Sequence, residues 1–311
     1  MISVCVNTKD RPGKLASCLD SIFANRFKTL KKVPFEVVVV DQSNRPTIAP
    51  RFKKRIVYVH ITGKGTGLAK NIVIENASGK FVLFTDDDCM VDIYWIENVI
   101  LSFNKYPDIF GVFGKVAPFR PELHPNEFCP CTFENKKVKI IRSPCLHYKH
   151  IGFGNNMSFR FDTLKKLGGF KSWLGPGSIG SNAEDAELAL RALRNGYKLL
   201  YNPKVLVYHD RWLNTEELRK QNLSYVCGEV ASYGCLALKG EKLAKKVVAN
   251  NFRDSYFEIT RAVKSLLLSK GRDYRLLSNA LEEFLWRFRG LVVALYTTSL
   301  RANTPSQVTS A

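Results

Sequence analysis

Apolar runs recur through the first hundred residues: "ISVCVN", "FEVVVVD", "RIVYVHI" and "KFVLFTD", separated by "GKLASCLDSIFANRF" and "GLAKNIVIENA", whose apolar positions have helical spacing. This alternation of strand and helix is the βαβ rhythm of a mostly parallel sheet. "FEVVVV" and "FVLF" are continuous instead of alternating, as expected for strands covered by helices on both faces. In such sheets ligands bind beyond the carboxyl ends of the strands. "VNTKD", "VVDQS" and "FTDDD" put polar residues at those ends, so the pattern predicts a site there.

Past residue 108 the rhythm loosens. "DIFGVFGKVAPF" reads as a strand, "RPELHPNEFCPCTFENKK" as a long loop, and "IGFGNNMSFR" as a small-residue turn leading into a strand. "FDTLKKLGGF" is a short helix stopped by Gly168 and Gly169. "KSWLGPGSIGSN" is a Gly/Ser-rich loop long enough to cover a ligand. A helix from near Asn182 to Gly196 follows, and then two short strands. Residues 211–301 hold three segments of helical spacing with Lys and Arg interleaved, and 302–311, "ANTPSQVTSA", have the composition of a disordered tail. The expected organisation is an α/β domain over residues 1–210, a helical C-terminal extension over 211–301, and the tail.

Charge narrows the partners. The 311 residues carry 47 Lys+Arg against 28 Asp+Glu, a net +19, which favours nucleotides, anionic lipid surfaces or nucleic acid. The start "MISVCVNTKD" lacks the basic segment and apolar run of a signal peptide, and no run of about 18 apolar residues marks a membrane span. A cytoplasmic protein is expected, soluble or peripheral at the inner face of the membrane. In the last helical segment Phe284, Leu285, Trp286, Phe288 and Leu291 stand beside Arg287, Arg289 and Arg301. That pattern suits an anionic bilayer, or a helix burying its aromatics against the α/β domain. The eight cysteines are scattered through apolar segments, as reduced thiols are. Cys129, Cys131, Cys145 and His147 offer enough ligands for a structural zinc, without the spacing of a standard finger.

"FVLFTDDDCM" places Asp86, Asp87 and Asp88 together behind an apolar strand. Like charges at contact distance repel and lose hydration beside a protein wall, so the cluster calls for a reason. One is a helix cap, with Asp88 opening the segment "MVDIYWIENVILSF"; another is a bound cation. A second acidic pair, Glu184 and Asp185, falls in a helix's first turn, where the dipole favours carboxylates whatever the function. No G-x-G-x-x-G follows the first strand and no G-x-x-x-x-G-K-[ST] occurs, which argues against a dinucleotide fold or a P-loop.

Five pieces in order, "VNTKDRPGKLASCLDSI", "FEVVVVDQS", "GLAKNIVIENASGKFVLFTDDD", "GNNMSFRFDTLKKLGGF" and "EDAELALRALRNGYKLLYNPKVLVYH", resemble family 2 glycosyltransferases of the GT-A fold. The resemblance implies a nucleotide-diphosphate-sugar donor, a divalent cation (Mn2+ or Mg2+) and an inverting displacement at the anomeric carbon. Thr8 and Asp10 match the loop that cradles the nucleotide, and Asp41 the aspartate that receives the base. Lys70 and Asn71 stand at the family's A-R-N position, with Lys for the commoner Arg, which keeps a cation near the nucleotide but removes the bidentate fork. Asp86, Asp87 and Asp88 match the D-x-D motif. In an extended chain Asp86 and Asp88 would point to one side, one toward the ribose and the other toward the metal. Asp88 is the preferred metal ligand, with Asp86 and His209 as candidates to complete the metal or phosphate site.

Asp185 matches the family's general base for the acceptor hydroxyl, with Glu184 orienting the acceptor or the helix. Gly152, Gly154 and Asn155 resemble the loop before the acceptor site. The Q-x-x-R-W motif of processive members is absent after "HDRWLNTEELRKQ", so one sugar per encounter is expected, moved to a sugar, lipid-linked or other hydroxyl acceptor in polysaccharide or glycoconjugate synthesis. A non-catalytic nucleotide-sugar-binding relative is the alternative. Nucleic acid is the more remote partner, because clustered carboxylates repel a phosphate backbone.

Overall fold

Four strands carry the parallel half of the sheet: β1 (Ile2–Thr8), β2 (Phe35–Asp41), β3 (Val57–His60) and β4 (Phe81–Asp86). They lie in the order β3-β2-β1-β4, every pair parallel. Helices α1 (Pro12–Phe23), α2 (Thr66–Asn76) and α3 (Trp95–Lys105) alternate with them. The computed structural model describes residues 1–31, 33–46, 48–144, 151–268 and 274–302. Cys145 and His147 of the candidate zinc set, and tail residues 303–311, lie outside the described residues.

The unbroken valines of β2 are explained by two separate cores. Val37 and Val39 pack with Leu15, Leu19 and Ile22 of α1 and Trp95 and Val99 of α3. Val38 and Val40, on the opposite face, pack with Ala69 and Val73 of α2. Each such fully buried side chain contributes about 1.5–3 kcal/mol relative to exposure, so a polar residue at any of the four positions would be costly.

The sheet continues through β5 (Cys89–Val91), β6 (Ile109–Pro118), β7 (Lys139–Ile141), β8 (Asn156–Arg160) and β9 (Lys198–His209). Its path beyond β4 is β8-β6-β9-β5, with β7 also on β9. Here the pairing is mixed: β6 and β9 are parallel, while β4/β8, β6/β8, β5/β9 and β7/β9 are antiparallel. β8 starts beside the C-terminal end of β4, with Asn156 opposite Thr85, and must therefore run back against it.

Two local expectations change. The two short strands after Gly196 are one strand, β9, interrupted by a bulge: Gly114 pairs with Asn202 but Lys115 pairs with Leu206. Pro203 has no N–H to give a ladder, which accounts for the break at that point. Gly114 sits so close to the bulge that a Cβ there would lie 2.1 Å from the Val205 carbonyl oxygen. The helix expected from Asn182 is α5 (Glu184–Arg194). Ala183, at φ +74°, is outside the right-handed helical region and holds the start back. A short helix, α4 (Phe161–Lys166), ends at Gly168 and Gly169, both at positive φ.

The chain divides into two compact units, Met1–Trp173 with Glu184–Leu218, and Leu174–Ala183 with the residues from Arg219 onward. The second is helical, built from most of α6 (Thr215–Leu238), α7 (Lys242–Leu268) and α8 (Arg275–Ala302). Small residues let α6 and α8 approach: a Cβ on Gly290 would lie 2.5 Å from the Cys227 carbonyl oxygen, and one on Gly234 2.7 Å from Ala294 Cβ. Of the two readings of this segment, Arg287 falls on the packed side, buried at 6% exposure. It donates to Ser255 Oγ at 2.7 Å and pairs with Glu283 at 2.6 Å, because its stem lies on the packed side of α8. The Arg301 side chain lies outside the described part of the helix.

Candidate active site

The C-terminal ends of β1, β2 and β4 meet where the connections leave the sheet in opposite directions, with Thr8 opposite Asp41 and Asn7 opposite Asp86. Asp41 is buried; one of its oxygens accepts the Ser43 N–H at 2.7 Å and the other the Tyr58 hydroxyl. Asp10, at φ +54°, donates its N–H to Ser43 Oγ at 2.6 Å and accepts from the Asn44 N–H at 3.2 Å. The β1 and β2 loops are thereby tied into one rim.

Asp87 and Asp88 occupy a tight turn between β4 and β5, so the alternation expected of an extended chain stops at Asp86. Thr8 donates to Asp87 at 2.6 Å. The guanidinium of Arg11 bridges the two acids, 2.9 Å from Asp87 Oδ1 and 2.5 Å from Asp88 Oδ2. Burial pushes the Asp87 carboxyl up to about 7 despite the charge of Arg11. Burial would raise Asp88 as well, but the hydrogen bond and charge of His209, with Arg11, hold it below the usual carboxylate range. Asp86, also raised by burial, feels the opposing charge of Lys70. Arg11 was not among the residues singled out from sequence; its signal was a basic residue in the loop facing an acid triplet.

His209 closes β9 opposite Cys89, its Nε2 3.4 Å from Asp88 Oδ1. Its Nδ1–H donates to the Pro130 carbonyl at 2.8 Å, which leaves Nε2 as the nitrogen that faces Asp88. Burial opposes charge on this imidazole, yet hydrogen bonds with Asp88 and Cys129 push its pKa up to about 10. Among the described residues, the ligand-type atoms that converge within 4.8 Å are those of Asp88, Cys89 and His209. Asp86 stands outside this group. Burial pushes the Cys89 thiol well up, leaving a carboxylate and an imidazole as the donors. The Asp88 carboxylate oxygen suits Mn2+ or Mg2+, and His209 Nε2 would join it as a ligand only after giving up its proton. Cys129, whose thiol donates to the His209 carbonyl at 3.3 Å, backs this site.

The second acidic pair lies at the start of α5. Glu184 is buried, and Lys70 Nζ, also buried, sits 2.8 Å from its Oε1. Burial disfavours the Lys70 charge, but Glu184, Asp86 and Asp185 together raise its pKa. Glu184 Oε2 has no hydrogen-bond partner, and neither does the side-chain amide of buried Asn155. Burial first, then the charge of Glu184, pushes Asp185 up to about 6 against the pull of Lys70. A Cβ on Gly154 would lie 2.9 Å from Asp185 Oδ2, so the glycine lets the two segments close. Asn71 is drawn away from this group: its amide donates to the Phe170 carbonyl at 2.9 Å and accepts the Phe170 N–H at 2.8 Å.

Residues 3–168 match the family model for Glycosyl transferase family 2, and residues 132–305 that for Glycosyl transferase family group 2. The chain is similar to the glucosyl-dolichyl phosphate glucuronosyltransferase of Haloferax volcanii, 23% identical over 225 residues, 67% of this chain and 68% of that one. It is also similar to glycosyltransferase AglE of the same organism, 25% identical over 228 residues, 71% of this chain and 70% of that one. In fold it resembles the mannosyltransferase PcManGT of Pyrobaculum calidifontis, solved with GDP-Man and Mn2+, at TM-score 0.55 and 15% identity, over 95% of this chain and 87% of that one. S. aureus TarS 1–349, solved with UDP-GlcNAc, gives TM-score 0.55 and 17% identity, over 97% and 92%. The fold is of the GT-A type.

Proposed function

The chain belongs to glycosyltransferase family 2, and we propose that it moves a sugar from a nucleotide-diphosphate donor to an acceptor hydroxyl with inversion at the anomeric carbon. The observation that carries this reading is the contrast between its two acidic groups. Asp88 is held ionised beside His209 and Arg11, as a cation site requires, whereas Asp185 is raised to about 6, as a base working near neutral pH requires. Asp88 and His209 would hold the Mn2+ or Mg2+, whose chemistry when bound is to neutralise charge gathering on the diphosphate.

In this reading Thr8, Asp10 and Asp41 receive the nucleoside, and Asp86 and Asp87 line the diphosphate side. Asp185 takes the acceptor's hydroxyl proton as that oxygen bonds to the anomeric carbon. The bond from that carbon to the diphosphate breaks, and its electron pair leaves with the nucleoside diphosphate. Lys70 and Glu184 hold the base in place.

Calorimetry with UDP and GDP, with and without Mn2+, tests the assignment. Asp88→Ala should abolish metal-dependent nucleotide binding while circular dichroism stays unchanged; undiminished Mn2+-dependent affinity would reject it.

A further inference from the structure

Helix α8 is built inside out. Its packed side presents Ala280, Arg287, Gly290, Val293, Ala294 and Thr297, mostly small or polar, with Val293 the one larger apolar side chain buried there. Its outer side presents Leu281, Leu285, Phe288, Val292, Leu295 and Tyr296, each 44–62% exposed. Their spacing of four, three, four, three and one residues places them on one stripe. A helix in a water-soluble bundle buries its large apolar side chains and shows its polar ones, so this face is not shaped for water. On α7, Tyr256 and Phe257 are 66% and 59% exposed, and Leu267 and Leu268 78% and 84%.

We propose that the outer faces of α7 and α8 dock on an anionic lipid bilayer. Charge selects this occupant. Among the described residues of α7 and α8, the exposed acidic side chains are few: Asp254, at 56%, pairs with Arg253 at 3.6 Å, and Glu282 and Glu258, at 40% and 37%, pair with Arg219 and Arg287; the other exposed charges are Lys or Arg. The less exposed Glu283 turns inward to Arg287. A second copy of the chain would set these positive charges against themselves. Anionic headgroups neutralise them. No helix among the described residues is long and apolar enough to cross a membrane, so the helices lie in the interface with leucines and aromatics among the acyl chains. Arg289, stacked 4.9 Å over the Trp286 ring, borders the stripe where headgroup phosphates would lie.

Sedimentation of the full chain with vesicles of phosphatidylcholine, alone or with about one third phosphatidylglycerol, tests it. Wild type should sediment with the anionic vesicles at low salt and be released by high salt. Leu285→Ser with Phe288→Ser, and separately Lys264→Gln with Arg289→Gln, should each lower partitioning by about tenfold or more. The second pair is exposed and charged, so its circular dichroism should match wild type even if the first variant misfolds. Wild type that ignores anionic vesicles, or binds neutral ones equally, overturns the proposal, as does undiminished partitioning of both variants. So does a lipid-free dimer, seen by light scattering, that Leu285→Ser with Phe288→Ser converts to monomer.

Discussion

Lys70 and Glu184, 114 residues apart in sequence, form an ion pair at 2.8 Å with side chains only 3% and 6% exposed. The pair joins α2 to the first turn of α5, one residue from the proposed base. Removing one partner strands a buried charge, so Lys70→Met should cost about 3–5 kcal/mol in urea unfolding. Lys70→Met combined with Glu184→Leu should recover part of that loss. Costs that simply add would show that the two charges do not depend on each other.

Arg11 holds the place where positive charge is wanted when no cation is bound. Arg11→Gln should therefore destabilise the metal-free protein and tighten Mn2+ binding without nucleotide, by up to about tenfold, since a competing charge is gone. Electron paramagnetic resonance titration of free Mn2+ reads this directly. Unchanged or weaker Mn2+ affinity would mean that the guanidinium does not compete.

Asp185 sets a pH profile. A base works only when unprotonated, so kcat/KM should fall as pH drops through about 6, instead of near 4 as for an ordinary aspartate. Asp185→Asn should lower transfer by about 10²-fold or more and leave nucleoside diphosphate affinity intact, because no donor-side residue is touched. A mutant as fast as wild type would remove Asp185 from the chemistry.

Gly154→Ala tests how closely the base is seated. The new Cβ would sit 2.9 Å from Asp185 Oδ2, the free end of a side chain, so the carboxylate should shift while the backbone holds. Transfer should drop by about tenfold or more with little change in melting temperature, since misplacing a reacting group by an ångström is costly. A large stability loss with normal turnover in the folded fraction would contradict this.

The parallel half of the sheet and its polar strand ends were legible in the sequence because strands covered on both faces must be apolar throughout, and the interruption at each end is then conspicuous. Asp86, Asp87, Asp88, Glu184, Asp185 and His209 were singled out in the sequence, as were Thr8 and Lys70, but not which of them pair. Arg11 reaches the acids across 77 positions, and the Pro130 carbonyl that orients His209 is backbone, which no residue pattern displays. The face of Arg287 was left open for a related reason. Helical spacing shows which residues share a face, yet not that this arginine's face is the packed one.

Asp185 and His209 are two ends of one uninterrupted length of chain. From the first turn of α5 it runs away from the site, reverses at Gly196 and returns along β9. The reversal lies at the opposite end of β9 from His209, and a side chain at Gly196 would meet nothing within 4 Å, although its φ of +79° favours glycine. Changes of length are thus tolerable at the far bend, where they displace only solvent. One added residue near either end would shift Asp185, the proposed base, or His209, the proposed cation ligand, relative to the strand ends that hold the other acids.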